Sequence, residues 1–158
     1  MRSSSYSTVL VGTDGSESSF RAVDRAAAVA RDAGATLLVL TAYRPMSQRE
    51  MQDARDALGD EAYKVSGATP AEDVLRDAAD RARGLGVDSV EQFAVEGDPV
   101  DALIRTVDER GVDLLVVGNR GLNSLAGRLL GSVPANITHK APCDVLIVHT
   151  TGKGAKNP

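Results

Sequence analysis

Apolar residues in this chain fall in short continuous runs that alternate with sets spaced as on a helix. Tyr6-Ser7-Thr8-Val9-Leu10-Val11 reads as a strand by its β-branched content. A turn follows, Gly12-Thr13-Asp14-Gly15, and Ser16 has the character of a helix N-cap with Glu17 in the first turn. Phe20, Val23, Ala27 and Ala30 then recur at helical spacing as far as Gly34, a C-terminal stop. Thr36 to Tyr43 is apolar almost throughout, as expected of a strand covered on both faces of a parallel sheet.

Pro45 to Thr69 is rich in charge and weakly periodic, which predicts a partly helical surface excursion. Thr69-Pro70 predicts an N-cap followed by proline at the first helical position, with Val74, Leu75, Ala78, Ala82 and Leu85 on one face. Gly84 and Gly86 end that helix. Val90 to Val95 is a short, partly polar strand that belongs near a sheet edge. Asp98-Pro99 repeats the cap, with Val100, Leu103, Ile104 and Val107 as the apolar face and Gly111 as the stop. Leu114 to Val117 is a buried strand, Ser132 to about Lys140 a short helix, and Asp144 to His149 the last strand. Strands alternating with helices define an α/β protein built on a parallel sheet with helices on both faces.

The 158 residues fit one domain, residues 1–150, followed by a disordered tail over 151–158. With 42% hydrophobic but only 3% aromatic residues, Ala, Val and Leu must build the core. Eighteen Lys+Arg against 22 Asp+Glu leave a net charge of −4, which argues against general nucleic-acid affinity. One cysteine, Cys143, excludes an internal disulfide and reads as a packed thiol. No apolar run is long enough to span a bilayer, and the N-terminus lacks a signal-like apolar region, so the expectation is a cytoplasmic protein with no membrane partner.

The candidate chemistry lies in Asp113 to Pro134. An apolar strand breaks at Gly118-Asn119-Arg120-Gly121, and after nine residues glycine returns at Gly131-Ser132, where a helix begins. Glycine lets backbone N–H groups approach an oxyanion, and a helix N-terminus adds unpaired donors. Ser132 offers a hydroxyl. The plainer alternative is that these glycines only permit turns. The first and fourth predicted strands both end in Gly-x-x-Gly turns, Gly12 to Gly15 and Gly118 to Gly121. If those strands are neighbours, the turns share one crevice at the carboxyl edge of the sheet.

The spacing Gly118, Gly121, nine residues, Gly131-Ser132 resembles the ATP-binding signature of the universal stress protein family. The resemblance runs from Val9 to Val148 and includes Val11-Gly12-Thr13-Asp14-Gly15-Ser16 and the closing Ala141-Pro142-Cys143-Asp144-Val145-Leu146-Ile147-Val148. It implies a five-stranded, doubly wound parallel sheet of the Rossmann-like, adenine nucleotide alpha hydrolase type, with strand order 3-2-1-4-5. It also implies a nucleotide site. Gly12, Thr13 and Asp14 would meet the ribose and adenine side, and the backbone near Ala42 the adenine edge. Val117, Gly118, Asn119, Arg120 and Gly121 would line ribose and phosphates, with Arg128 within the loop and Gly131, Ser132 and Val133 closing on the phosphates. Asp14 has an alternative role, capping its own turn, and Asn119 one of tolerating an unusual backbone. The alanine- and arginine-rich chain resembles the actinobacterial branch, some members of which bind cyclic AMP, so the implied ligand is ATP, with Mg²⁺ to offset its charge, or cyclic AMP. The family further implies a homodimer through the last strand, Asp144 to His149.

No Gly-x-x-x-x-Gly-Lys-Ser/Thr is present, and neither His139 nor His149 falls in metal-ligand or triad spacing. The expectation is a nucleotide-binding stress protein that senses or sequesters its ligand, with no catalytic residue, no metal ligand from the chain and at most slow hydrolysis. Two other readings stand beside it: a slow ATPase or nucleotide hydrolase, and a structural dimer with no nucleotide.

Overall fold

The computed structural model describes residues 5–44, 48–58, 68–119 and 132–150. The elements run β1 (Thr8–Gly12), α1 (Glu17–Ala33), β2 (Thr36–Tyr43), α2 (Gln48–Leu58), α3 (Ala68–Gly84), β3 (Val90–Glu96), α4 (Pro99–Arg110), β4 (Leu114–Gly118), α5 (Ser132–Lys140) and β5 (Asp144–Val148). The five strands form one sheet in the order β3-β2-β1-β4-β5, every pairing parallel. This is the predicted α/β architecture and strand order.

Side-chain alternation along each strand divides the core in two. Val9, Val11, Leu37, Val39, Leu114 and Val116 pack with α1 and α3 on one face of the sheet. Leu10, Leu38, Leu40, Leu115 and Val117 pack with α4 and α5 on the other. Both faces are covered, which is why β2 and β4 read as unbroken apolar runs. The α1 surface in the core is Ala22, Val23, Ala26, Ala27 and Ala30, all fully buried; small side chains let the helix lie close to the strands. Burying one leucine such as Leu38 or Leu115 contributes roughly 1.5–3 kcal/mol.

Local signals set most element ends. The Ser16 side chain accepts from the Ser19 N–H, and Gly34 closes α1 in the left-handed region at φ 68°. The Asp98 side chain accepts from the Asp101 N–H with Pro99 at the first helical position, and Gly111 closes α4 at φ 64°. At the sheet's starting edge the Asp113 carboxylate accepts from the N–H groups of both Ser7 and Thr8 at 2.9 Å, tying the start of β1 to the start of β4.

Several boundaries differ from expectation: β1 spans Thr8–Gly12 rather than Tyr6 to Val11, and β3 runs on to Glu96. The α3 helix begins at Ala68, so Thr69 and Pro70 lie inside its first turn rather than at the cap. First-turn N–H groups have no intrahelical acceptor, so proline loses nothing there. Leu85 follows the end of α3 and is 38% exposed, not part of its packed face. The last strand ends at Val148, leaving His149 just beyond it. The 45–69 excursion contains α2 over part of its length, as predicted. The predicted tail, 151–158, lies outside the described residues.

Candidate functional site

β1 and β4 are neighbours at the centre of the sheet, with Val9, Leu10 and Val11 level with Leu114, Leu115 and Val116. Gly12 and Val117 are the next residues of the two strands. α1 leaves β1 on one face and α4 and α5 pack on the other. The winding therefore reverses between these two strands, and in folds of this kind ligands bind at that switch point.

The turn after β1 is held by hydroxyl groups. Thr13 donates its N–H to the Leu40 carbonyl at 2.9 Å, and its own carbonyl accepts from Thr41 Oγ1 at 2.9 Å. The Thr13 side chain is 1% exposed; its Oγ1 accepts from the Gly15 N–H and lies 2.6 Å from Ser19 Oγ. Ser19 Oγ donates its single proton to the Ser16 carbonyl at 2.9 Å, so Thr13 is the donor in the short contact. Every polar group of Thr13 is thus engaged inside the protein, and its part in the site is to shape the turn. Asp14 is exposed, and its Oδ1 accepts from the Ser16 N–H at 2.9 Å. The turn-capping role of Asp14 is thus present. Gly15 has φ 86°, and a Cβ there would lie 2.7 Å from Val74 Cγ2 on α3. Its glycine is accounted for by this left-handed backbone and by the approach of α3.

On the other side, Gly12, Val117 and Gly118 are buried strand residues, so only their backbone can meet a ligand. A Cβ on Gly118 would lie 3.1 Å from Thr150 Cγ2 and 3.4 Å from Thr150 Oγ1. Asn119 donates its N–H to the Val148 carbonyl at 2.8 Å, and its side-chain Oδ1 accepts from both Thr150 N at 2.8 Å and Thr150 Oγ1 at 2.9 Å. Asn119 is therefore a fastening between β4 and the end of β5, a role beyond mere backbone tolerance. Asn119 Nδ2 lies 3.5 Å from His149 Nδ1, which puts this histidine beside the end of β4 although its spacing in sequence gave no sign of it. Ala42, half-buried at the end of β2, stands beside Val95 of β3. Ser132 and Val133 open α5, whereas Arg120, Gly121, Arg128 and Gly131 lie outside the described residues.

Two polar features lie away from the crevice. Tyr6 donates its hydroxyl to Asp144 Oδ2 at 2.7 Å beside a hollow of about 450 Å³ lined by Tyr6, Val29, Leu114, Asp144, Val145 and Leu146, at the starting edge of the strands. That hydrogen bond to Asp144, with some burial, raises the Tyr6 hydroxyl above its ordinary pKa. Burial, with the nearby Asp144 charge, pushes the Cys143 thiol up, as befits a packed thiol. Among the described residues no group of three or more His, Cys, Asp and Glu could hold a metal ion, and no helix is long and apolar enough to cross a membrane.

A five-stranded parallel sheet in this order, its winding reversing between β1 and β4, defines a doubly wound α/β protein. The chain belongs to the universal stress protein family, whose pattern it matches over residues 5–149. It is 56% identical over 148 residues to the universal stress protein Rv1636 of Mycobacterium tuberculosis, covering 94% of this chain and 99% of that one. Among solved structures it resembles a universal stress protein in complex with cAMP, at 47% identity, TM-score 0.72, and coverage of 94% of this chain and 100% of the other. The universal stress protein UspA from Lactobacillus plantarum shares the fold at TM-score 0.74 and 23% identity, over 93% of this chain and 100% of that one.

Proposed function

We propose that this chain is an adenine-nucleotide-binding stress protein that senses or sequesters its ligand in the crevice above β1 and β4, and that cyclic AMP is that ligand. The observation that carries the reading is the 47%-identical structure in complex with cAMP. The geometry supports it: the Gly12–Asp14 turn, the end of β2 at Ala42 and the Gly118–Asn119 turn converge at one switch point. In this reading Asp14 and the backbone of Gly12 meet the ribose side, Thr13 shapes the turn between them, and the main chain at Ala42 meets the adenine edge. Val117, Gly118 and Asn119 border the ribose and phosphate, and the signature residues Arg120, Gly121, Arg128, Gly131, Ser132 and Val133 complete the phosphate side.

The complete glycine signature favours ATP as a second ligand. Mg²⁺ would then be held chiefly by the phosphates, because among the described residues no group of three or more His, Cys, Asp and Glu could hold it. The reading is of binding rather than turnover, in a cytoplasmic protein. A second copy of the chain would pair along β5, an edge strand whose Ile147 is 43% exposed.

Calorimetric titration of nucleotide-free protein with cyclic AMP and with ATP, each with and without Mg²⁺, tests the reading. Metal-independent cyclic AMP binding that is tighter than ATP binding is the expected result. Tighter, metal-dependent ATP binding would move the ligand to the triphosphate. No heat and no thermal stabilisation with either would end the nucleotide reading.

A further inference from the structure

The buried stretch of β2, Leu37 to Thr41, is apolar except at Thr41, which is 6% exposed. Alternation along the strand puts Thr41 on the face of Leu37 and Val39, the side covered by α1 and α3. A hydroxyl buried there is costly without a hydrogen bond. Thr41 Oγ1 finds its partner outside its own strand and donates to the Thr13 carbonyl at 2.9 Å. The Thr13 N–H donates to the Leu40 carbonyl at 2.9 Å, so both main-chain groups of Thr13 are bound to consecutive residues of β2.

The carbonyl that Thr41 holds belongs to the peptide group between Thr13 and Asp14. That group is planar and trans, so fixing the direction of its carbonyl also fixes the direction of the Asp14 N–H. Beyond it the turn is held from within: Thr13 Oγ1 accepts from the Gly15 N–H at 3.1 Å, and Asp14 Oδ1 accepts from the Ser16 N–H at 2.9 Å. The end of β2 is pinned from its far side, where the Gly97 N–H donates to the Tyr43 carbonyl at 2.8 Å. Thr41 joins these two held pieces by a side chain.

We infer that Thr41 is a positioning residue for the nucleotide site: from the strand end that carries Ala42 it holds the peptide that leads into Asp14, and so sets the adenine side against the ribose side. The inference rests on the nucleotide reading given above. Thr41 acts through Thr13 rather than by touching the ligand. Its bond is an ordinary neutral hydrogen bond, whose loss has roughly a 3- to 10-fold effect on an equilibrium it controls.

The test uses the full chain and measures dissociation constants for cyclic AMP, and for ATP with Mg²⁺, in wild type, Thr41→Val, Thr41→Ser and Thr106→Val. Valine keeps the shape of Thr41 and removes the donor, whereas serine keeps the donor. Thr106 is a matched control: 7% exposed on α4, it donates its hydroxyl to the Ala102 carbonyl at 2.9 Å, so its valine variant loses the same kind of buried bond within a helix. The expected result is a roughly 3- to 10-fold loss in Thr41→Val with near-wild-type affinity in Thr41→Ser and Thr106→Val. If Thr41→Val does not fold, Thr41→Cys, whose thiol is a weak donor, takes its place with the same expectation. Unchanged affinity in the variant that lacks the hydroxyl overturns the inference. So does an equal loss in Thr41→Ser or in Thr106→Val. A wild type that binds neither nucleotide ends the nucleotide reading and this assignment with it, whereas a binding wild type with unchanged Thr41→Val ends this assignment alone.

Discussion

A methyl group on Gly118 provides a quantitative test of how the crevice floor is packed. The position has ordinary strand geometry, so Gly118→Ala introduces no left-handed strain; its cost is contact alone. The new Cβ would lie 3.1 Å from Thr150 Cγ2 and 3.4 Å from Thr150 Oγ1. The first distance is several tenths of an ångström inside comfortable carbon–carbon contact. Thr150 has little freedom to withdraw, because its N–H and its hydroxyl are both bonded to Asn119 Oδ1. Overpacking of a rigid site of this kind costs about 1–3 kcal/mol. Removing the offending methyl with Thr150→Ser should relieve most of that cost while preserving both hydrogen bonds. The double-mutant cycle, measured by urea unfolding at one fixed protein concentration, should therefore show a favourable coupling of about 1 kcal/mol or more. A Gly118→Ala variant that loses less than about 0.5 kcal/mol, or that loses the same amount with serine at position 150, would refute the reasoning.

Other expectations follow from single contacts. Gly15→Ala combines a φ of 86° with a 2.7 Å approach to Val74 Cγ2, and should destabilise by about 2–4 kcal/mol in thermal or urea unfolding, with part recovered by adding Val74→Ala. Tyr6 is held protonated by its bond to Asp144, so its folded pKa lies above its unfolded one. The stability it contributes is present below the unfolded value of about 10 and is lost as pH rises through the folded pKa. The stability difference between wild type and Tyr6→Phe should accordingly shrink from pH 8 to pH 11.5, and a constant difference would contradict the assignment. The Cys143 thiol, raised by burial, should react with iodoacetamide at pH 8 at least ~10-fold more slowly than a free thiol, and labelling at the free rate would show that it is not packed. Asp14→Asn keeps an acceptor for the Ser16 N–H but removes the charge; in the nucleotide reading it should leave unfolding stability within about 0.5 kcal/mol of wild type while weakening ligand affinity.

Much of the fold was legible because its determinants are local or periodic. Ser16, Gly34, Asp98 and Gly111 mark helix ends by chemistry that acts within a few residues. The unbroken apolarity of Thr36–Tyr43 announced a strand covered on both faces. Strand order is not written in such patterns and came through the family resemblance, while the start of α3 was misplaced because Pro70 is as well accommodated at the third helical position as at the first. The candidate site was legible only in outline. Thr13–Thr41 and Asn119–Thr150 join residues 28 and 31 apart, and hydrogen bonds over such separations leave no periodic trace. Gly118 reads in the sequence as a residue that admits a ligand and Gly15 as part of a turn, yet their immediate neighbours in space are Thr150 and Val74.

The central claim is that an adenine nucleotide occupies the crevice at the carboxyl ends of β1 and β4. Backbone amide chemical-shift mapping of isotope-labelled protein during a cyclic AMP titration tests it most directly. Shifts at Thr13, Asp14, Ala42, Gly118 and Asn119 that saturate together at one ligand per chain are the expected result. Shifts confined to the opposite edge of the sheet, around Tyr6, Leu114 and Asp144, or no shifts at saturating ligand, would contradict it.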